Sequence, residues 1–132
     1  MSKNVNNITG QILDACIKIH NELGPGLFES VYEEVLMYEL IKRELTVQKQ
    51  KAIPVIYDGI KFEDGFRADL IIDRVVIIEI KSVDQLSPVH FKQLHTYLKL
   101  SNIKDGVLIN FNVNLLKDGF HRVFNNHLKS IL

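Results

Sequence analysis

The sequence predicts an α/β fold: a mixed β-sheet, built from a three-stranded antiparallel meander plus a crossover strand, flanked by helices. Three observations carry this. Apolar residues recur at helical spacing across residues 8–44. The texture then turns to β-branched residues broken by turn signals as far as Lys81, and a Ser-Pro pair opens one more helix ahead of a short apolar run. A helical crossover between two strands brings the second into the same sheet. The chain has 132 residues, 46% hydrophobic and 24% charged, so it suits one folded domain over residues 1–132 rather than a disordered polymer.

The first helix runs from Ile8 to Leu23, with Ile8, Ile12, Ala15, Cys16, Ile19 and Leu23 at helical spacing and Thr9 or Asn7 as its cap. Gly24-Pro25-Gly26 ends it, a glycine followed by a proline that cannot continue a helix. A second helix starts immediately and runs to about Glu44, its apolar residues being Val31, Val35, Leu36, Tyr38, Leu40 and Ile41. Val47 to Tyr57 reads as a strand in which Pro54 demands an edge position or a bulge. Asp58-Gly59 signals a hairpin turn, and Ile60 to Ile72 returns antiparallel with an interruption near Asp64-Gly65. Val75 to Lys81 is a third strand. Ser87-Pro88 opens a helix to about Leu100 with proline at its first position. Val107 to Phe111 is a short buried strand, and Phe120 to Leu132 fits strand and helix alike.

Sixteen Lys and Arg balance sixteen Asp and Glu. This excludes a chain held to nucleic acid by a general positive field and leaves room only for a local site. The balance is uneven, because residues 1–45 hold four basic and seven acidic side chains and the remainder carries the compensating positive excess. A single cysteine, Cys16, can form neither an internal disulfide nor a thiolate metal cage, and reads as a small buried apolar residue in a reducing compartment. The first ten residues lack the apolar core of a signal peptide, and runs such as Val75 to Ile78 are too short to cross a bilayer. The expectation is a cytoplasmic protein with no membrane partner.

Chemistry concentrates at the end of the third strand. Period-two alternation puts Val75, Ile77, Glu79 and Lys81 on one face and Val76, Ile78 and Ile80 on the other, so a carboxylate and an ammonium project together from a core strand. A strand running out into solvent would produce the same pattern. Asp69, however, is a poor strand former set among apolar residues in the preceding strand. Register decides whether it meets Glu79. A two-residue loop at Asp73-Arg74 pairs Asp69 with Ile78 on the opposite face, whereas a three-residue loop or one bulge puts both carboxylates on the same face. Two converging carboxylates repel unless a cation lies between them, and a hard ion such as Mg²⁺ takes oxygen ligands, to which the Ile80 carbonyl can add a third. Lys81 beside such an ion can orient or deprotonate a water, or stabilise negative charge in a phosphoryl transition state.

Asp69 with Glu79-Ile80-Lys81 resembles the D…(E/D)-x-K signature of the PD-(D/E)XK nuclease superfamily, whose core is a restriction-endonuclease-like mixed sheet flanked by helices. Gly26-Leu27-Phe28-Glu29-Ser30-Val31-Tyr32 resembles the motif that names the GxxExxY family, and Gln93-Leu94-His95-Thr96-Tyr97 is similar to the Q-x-x-x-Y element of RecB-like nucleases. The matches run in the expected order from Gly24 to Tyr97. The resemblance implies that Asp69 and Glu79 bind Mg²⁺ or Mn²⁺, that Lys81 assists the nucleophilic water, and that Glu29 approaches the metal directly or through water. Gln93 and Tyr97 would shape the site or contact a substrate phosphate. The implied activity is phosphodiester hydrolysis with DNA, rather than RNA, as the partner. A homodimer is compatible with so small a domain.

Each added residue has a simpler reading. Glu29 in the first helical turn is favourable against the helix dipole, and Tyr32 one turn later suits core packing. His90, Gln93 and Tyr97 form a polar stripe beside the apolar Phe91, Leu94 and Leu98, which is also what a solvent boundary looks like. A catalytically weak nucleic-acid-binding or assembly module that keeps the nuclease fold therefore stands beside the enzyme reading. Other chemistries lack their parts: His90 and His95 lie on different helix faces, and no zinc, phosphate-loop or nucleophile-elbow motif occurs.

Overall fold

The computed structural model describes residues 4–129. The elements, in chain order, are α1 (Val5–Leu23), α2 (Glu29–Lys42), β1 (Val47–Tyr57), β2 (Ile60–Ile72), β3 (Val76–Lys81), α3 (Pro88–Ser101), β4 (Asp105–Asn110), a 3-10 turn (Leu116–Gly119) and β5 (Phe120–Phe124). The strands form one sheet in the order β1-β2-β3-β4-β5. β1, β2 and β3 are the expected antiparallel meander, and α3 crosses over so that β4 lies parallel to β3 before β5 returns antiparallel. The mixed sheet flanked by helices is the restriction-endonuclease-like architecture that the motifs imply.

Two apolar layers hold the helices to the sheet. On one side Ile12, Cys16 and Ile19 of α1 and Tyr32, Leu36 and Leu40 of α2 pack with Leu70, Ile72, Ile78 and Ile80. On the other, Leu94 and Leu98 of α3 pack with Ala68, Ile71, Ile77 and Leu108. Val76, Ile78 and Ile80 thus face one layer and Ile77 the other, as the alternation requires. Each fully buried Leu or Ile contributes roughly 1.5–3 kcal/mol relative to exposure. Cys16 is fully buried among these residues and its thiol pKa is pushed up by that burial, so it is inert packing.

The first helix begins three residues earlier than the apolar pattern suggests. Asn4, not Thr9 or Asn7, is the cap: its side chain accepts the Asn6 N–H at 2.8 Å. Thr9 instead donates its hydroxyl to the Asn6 carbonyl from inside the helix. The second helix starts at Glu29, with Leu27 and Phe28 between it and Gly26, and stops at Lys42. Its inner face also differs from expectation. Val31, Tyr38 and Ile41 point to solvent, and the buried stripe is Tyr32, Leu36 and Leu40 together with Glu33 and Glu39. Spacing alone cannot tell these stripes apart, because α2 is apolar on both sides and the sheet takes the one that carries carboxylates.

β1 and β2 match their expected bounds, with Asp58 (φ 53°) and Gly59 (φ 73°) in the left-handed conformation of the turn. Pro54 lies on the edge strand and at a bulge as well. Ile53 pairs with Phe66 and Val55 with Phe62, so β2 carries extra residues there. Only glycine fits at 65, where a Cβ would meet the Val55 side chain and come within 2.9 Å of the Ile53 carbonyl. β3 starts at Val76 rather than Val75. β4 begins earlier than expected, at Asp105, and ends at Asn110, and β5 resolves the ambiguous segment as a strand through Phe124; residues 130–132 lie outside the described residues. Among the described residues no helix is long and apolar enough to cross a membrane.

Candidate active site

The connection between β2 and β3 sets the site. It is three residues long, Asp73-Arg74-Val75, not the two of Asp73-Arg74 alone. Asp73 (φ 49°) and Arg74 (φ 62°) are both left-handed, and the Val75 N–H donates to the Ile72 carbonyl at 2.9 Å. The register therefore pairs Leu70 with Ile78 and brings Asp69 opposite Glu79. There the ladder stops. In place of backbone bonds, Glu79 Oε2 accepts the Asp69 N–H and Asp69 Oδ2 accepts the Ile80 N–H, each at 2.8 Å. The carboxylates wedge between the parting strands, and β3 stays in the sheet through its parallel pairing with β4 as far as Lys81 and Asn110.

Burial dominates the electrostatics. It raises the Glu79 pKa to about 8, with the Asp69 charge adding to the rise, and it raises Asp69 in the same way against the opposing N–H of Ile80. The Lys81 charge favours the ionised form of both. Lys81 is half-buried at the end of β3, and its ammonium makes no ion pair within 4.0 Å among the described residues.

Glu29 sits in the first turn of α2, and its Oε2 accepts the Ser82 N–H at 3.2 Å, while the Ser82 hydroxyl donates to the Leu27 carbonyl at 2.7 Å. These bonds tie the end of β3 to the Gly-Pro-Gly loop and border an open cleft of ≈ 570 Å³ lined by Glu29, Ser30, Phe28, Ser82 and Asn112. Tyr32 is structural. It is fully buried, stacks on Phe111 at 4.3 Å, donates its hydroxyl to the Gly24 carbonyl at 2.6 Å and accepts the Leu27 N–H. On α3, Tyr97 stacks on Phe66 at 4.0 Å, and its pKa is raised by burial first and by the Glu79 and Asp69 charges second. Gln93 is exposed and has no hydrogen bond among the described residues, and His90 uses Nδ1 to cap the helix through the Ser87 N–H.

Two residues at this site lie outside the motifs. Glu33, buried in α2, has a pKa raised by burial and accepts Gln50 Nε2 at 2.8 Å; the same nitrogen donates to Asp69 Oδ1 at 3.3 Å. The available signal for Glu33 is its position one turn after Glu29, on the same helix face. For Gln50 there is none in the alternation.

Among the described residues no three His, Cys, Asp or Glu side chains gather closely enough to hold a metal by themselves. The donor set is instead two carboxylates and a backbone carbonyl. Glu79 Oε1 has no protein partner among the described residues. In a strand the N–H and C=O of one residue share an edge, so the Ile80 carbonyl faces the same gap as the N–H that reaches Asp69. All of these are hard oxygen donors, which suits Mg²⁺ or Mn²⁺ and not a thiophilic ion.

A family model described as the PD-(D/E)XK nuclease superfamily matches residues 6–123. No curated protein and no solved structure gives a match.

Proposed function

Because the chain belongs to the PD-(D/E)XK nuclease superfamily, whose members are generally nucleases, we propose that it is a Mg²⁺- or Mn²⁺-dependent nuclease of the GxxExxY branch that hydrolyses phosphodiester bonds in DNA. The observation that carries this is the parting of β2 from β3 at Asp69 and Glu79. These are two buried carboxylates held face to face and matched, among the described residues, by no cation within ion-pair distance. Ionised together, the two would repel each other, and a cation between them would relieve that repulsion.

Asp69, Glu79 and the Ile80 carbonyl would hold the divalent ion, with Glu29 approaching from α2. When bound, such an ion polarises the phosphodiester and acidifies a water. Lys81, two residues after Glu79 on the same strand face, orients the attacking water for in-line displacement and stabilises the charge that grows on the phosphoryl oxygens. Gln93, open to solvent on α3, and Tyr97, stacked on Phe66 of β2, would border the path by which a phosphate backbone enters. The near-neutral chain makes the hold on phosphate depend on the ion rather than on a general positive field.

The test is incubation of the purified protein with Mg²⁺ or Mn²⁺ and linear, nicked, branched and single-stranded DNA, with RNA alongside. Metal-dependent cleavage of at least one DNA form, lost in chelator, is the expected result. Cleavage of none, with no divalent ion bound in calorimetry, would overturn the proposal. The second reading, an assembly module with little turnover, is favoured by one observation: the carboxylates already accept each other's strand N–H groups, so the site is coherent without chemistry. Ion binding and nucleic-acid binding without cleavage is the outcome that would support it.

A further inference from the structure

We propose that Gln50 is a positioning residue for Asp69, and that through Gln50 the buried Glu33 of α2 is part of the site; this rests on the metal-site reading above. Gln50 lies in the middle of β1 with φ 50°, a left-handed conformation that side chains with a Cβ avoid. The distortion is local. Lys49 pairs with Leu70 and Lys51 with Ala68 in one unbroken register, and only Gln50 and Asp69 between them drop out of the ladder. On β2 the side-chain alternation changes phase at the same point, since Leu70 packs under α1 and α2 while Ala68 packs under α3. On the exposed side the carbonyl of the turned Gln50 peptide accepts a hydrogen bond from Arg67 Nη1 at 3.2 Å.

The amide then joins two acids. Ionised carboxylates only accept hydrogen bonds, so the nitrogen of Gln50 must face both, one hydrogen to Glu33 Oε1 at 2.8 Å and one to Asp69 Oδ1 at 3.3 Å. Asp69 is thereby held at both oxygens, Oδ2 by the Ile80 N–H and Oδ1 by Gln50, which fixes the direction in which its remaining lone pairs point. Glu33 anchors the amide from the helix, and the chain Glu33-Gln50-Asp69 links α2, β1 and β2 where the β1–β2 ladder is interrupted. Such outer contacts orient a ligand before the ion arrives.

Gln50→Gly separates the amide from the backbone, because glycine accepts the left-handed φ without strain and removes only the side chain. Mn²⁺ titrated calorimetrically into the full chain should bind about tenfold more weakly to Gln50→Gly than to wild type, while the metal-free melting temperature does not fall. At the other end of the chain of contacts, Glu33→Ala should weaken Mn²⁺ binding in the same direction, and Glu33→Gln, which keeps an acceptor for the amide, should restore most of it. An Mn²⁺ affinity in Gln50→Gly equal to that of wild type overturns the positioning role and leaves the metal site standing. A lowered melting temperature with unchanged Mn²⁺ affinity does the same, marking Gln50 as structural only. No Mn²⁺ uptake by wild type overturns the metal-site reading and this inference with it. Should Gln50→Gly not fold, the Glu33→Ala and Glu33→Gln pair decides the question by the same titration.

Discussion

Two glutamates of this protein expose almost the same small fraction of their surface and are treated in opposite ways. Glu39 is 7% exposed near the end of α2, and Glu79 is 5% exposed near the end of β3. The Glu39 carboxylate receives Lys18 at 2.9 Å and Lys42 at 3.6 Å, and the hydrogen bond from Lys18 holds its pKa below the usual value. Among the described residues Glu79 receives only a backbone N–H, and its burial first and the Asp69 charge second drive its pKa up. The chain can thus neutralise a buried carboxylate with lysines carried on its helices. Where it leaves two acids together with a single lysine nearby, it keeps oxygen donors whose ionised forms an external cation would favour.

The sharpest way to break this contrast is Asp69→Asn. Removing one ligand should cost roughly a thousandfold in metal-dependent cleavage, read as kcat on a DNA form that wild type cuts. The same substitution should raise the melting temperature in chelator, because it relieves repulsion against Glu79, and abolish the upward shift expected of wild type with Mn²⁺. Lys81→Met should lower kcat by about a hundredfold with Mn²⁺ affinity nearly retained, since its proposed work is on water and phosphoryl charge; unchanged kcat would remove Lys81 from the mechanism.

The pH dependence of the metal-free protein separates the two glutamates directly. A carboxyl whose folded pKa is raised binds more protons folded than unfolded between the two values. Stability from the Asp69 and Glu79 pair is therefore greatest below about pH 4.5 and is lost as pH rises toward 8, by about 2–4 kcal/mol in urea melts. Glu39 acts with the opposite sign, stabilising above its ordinary pKa and losing that contribution as pH falls below it. Glu79→Gln should flatten the slope from pH 5 to 8. Glu39→Gln should leave that slope intact and cost about 1 kcal/mol near neutrality, the smallest of these effects.

The bounds of β1 and β2 were legible because a proline, an Asp-Gly turn and β-branched runs act locally. So was the geometry at Asp69, as a condition: the carboxylates could meet only if the β2 to β3 connection held an odd residue, and Val75 is that residue. Glu33 and Gln50 were not legible. Whether a helical glutamate is buried depends on which face the sheet accepts, and α2 offers apolar side chains on both. Gln50 escapes any period-two reading because its own backbone breaks the period. The apparent apolar face of α2 failed for the first of these reasons, since Val31, Tyr38 and Ile41 lie outside while Tyr32 is drawn in by the Gly24 carbonyl and the Phe111 ring.

β1 is also the long open border of the sheet, and a long regular border invites other chains to add strands to it. Its paired residues fall into three short stretches, Val47–Lys49, Lys51–Ile53 and Val55–Tyr57, separated by the reversed peptide at Gln50 and by Pro54, which has no N–H to offer. A foreign strand would find no run of more than about one turn of the pleat before the donor and acceptor pattern failed, with Lys49 and Lys51 flanking the first gap. The kink that aims Asp69 therefore also guards against edge-to-edge aggregation, so replacing Gln50 with a residue that restores regular strand geometry should make the protein less soluble as well as disturb its site.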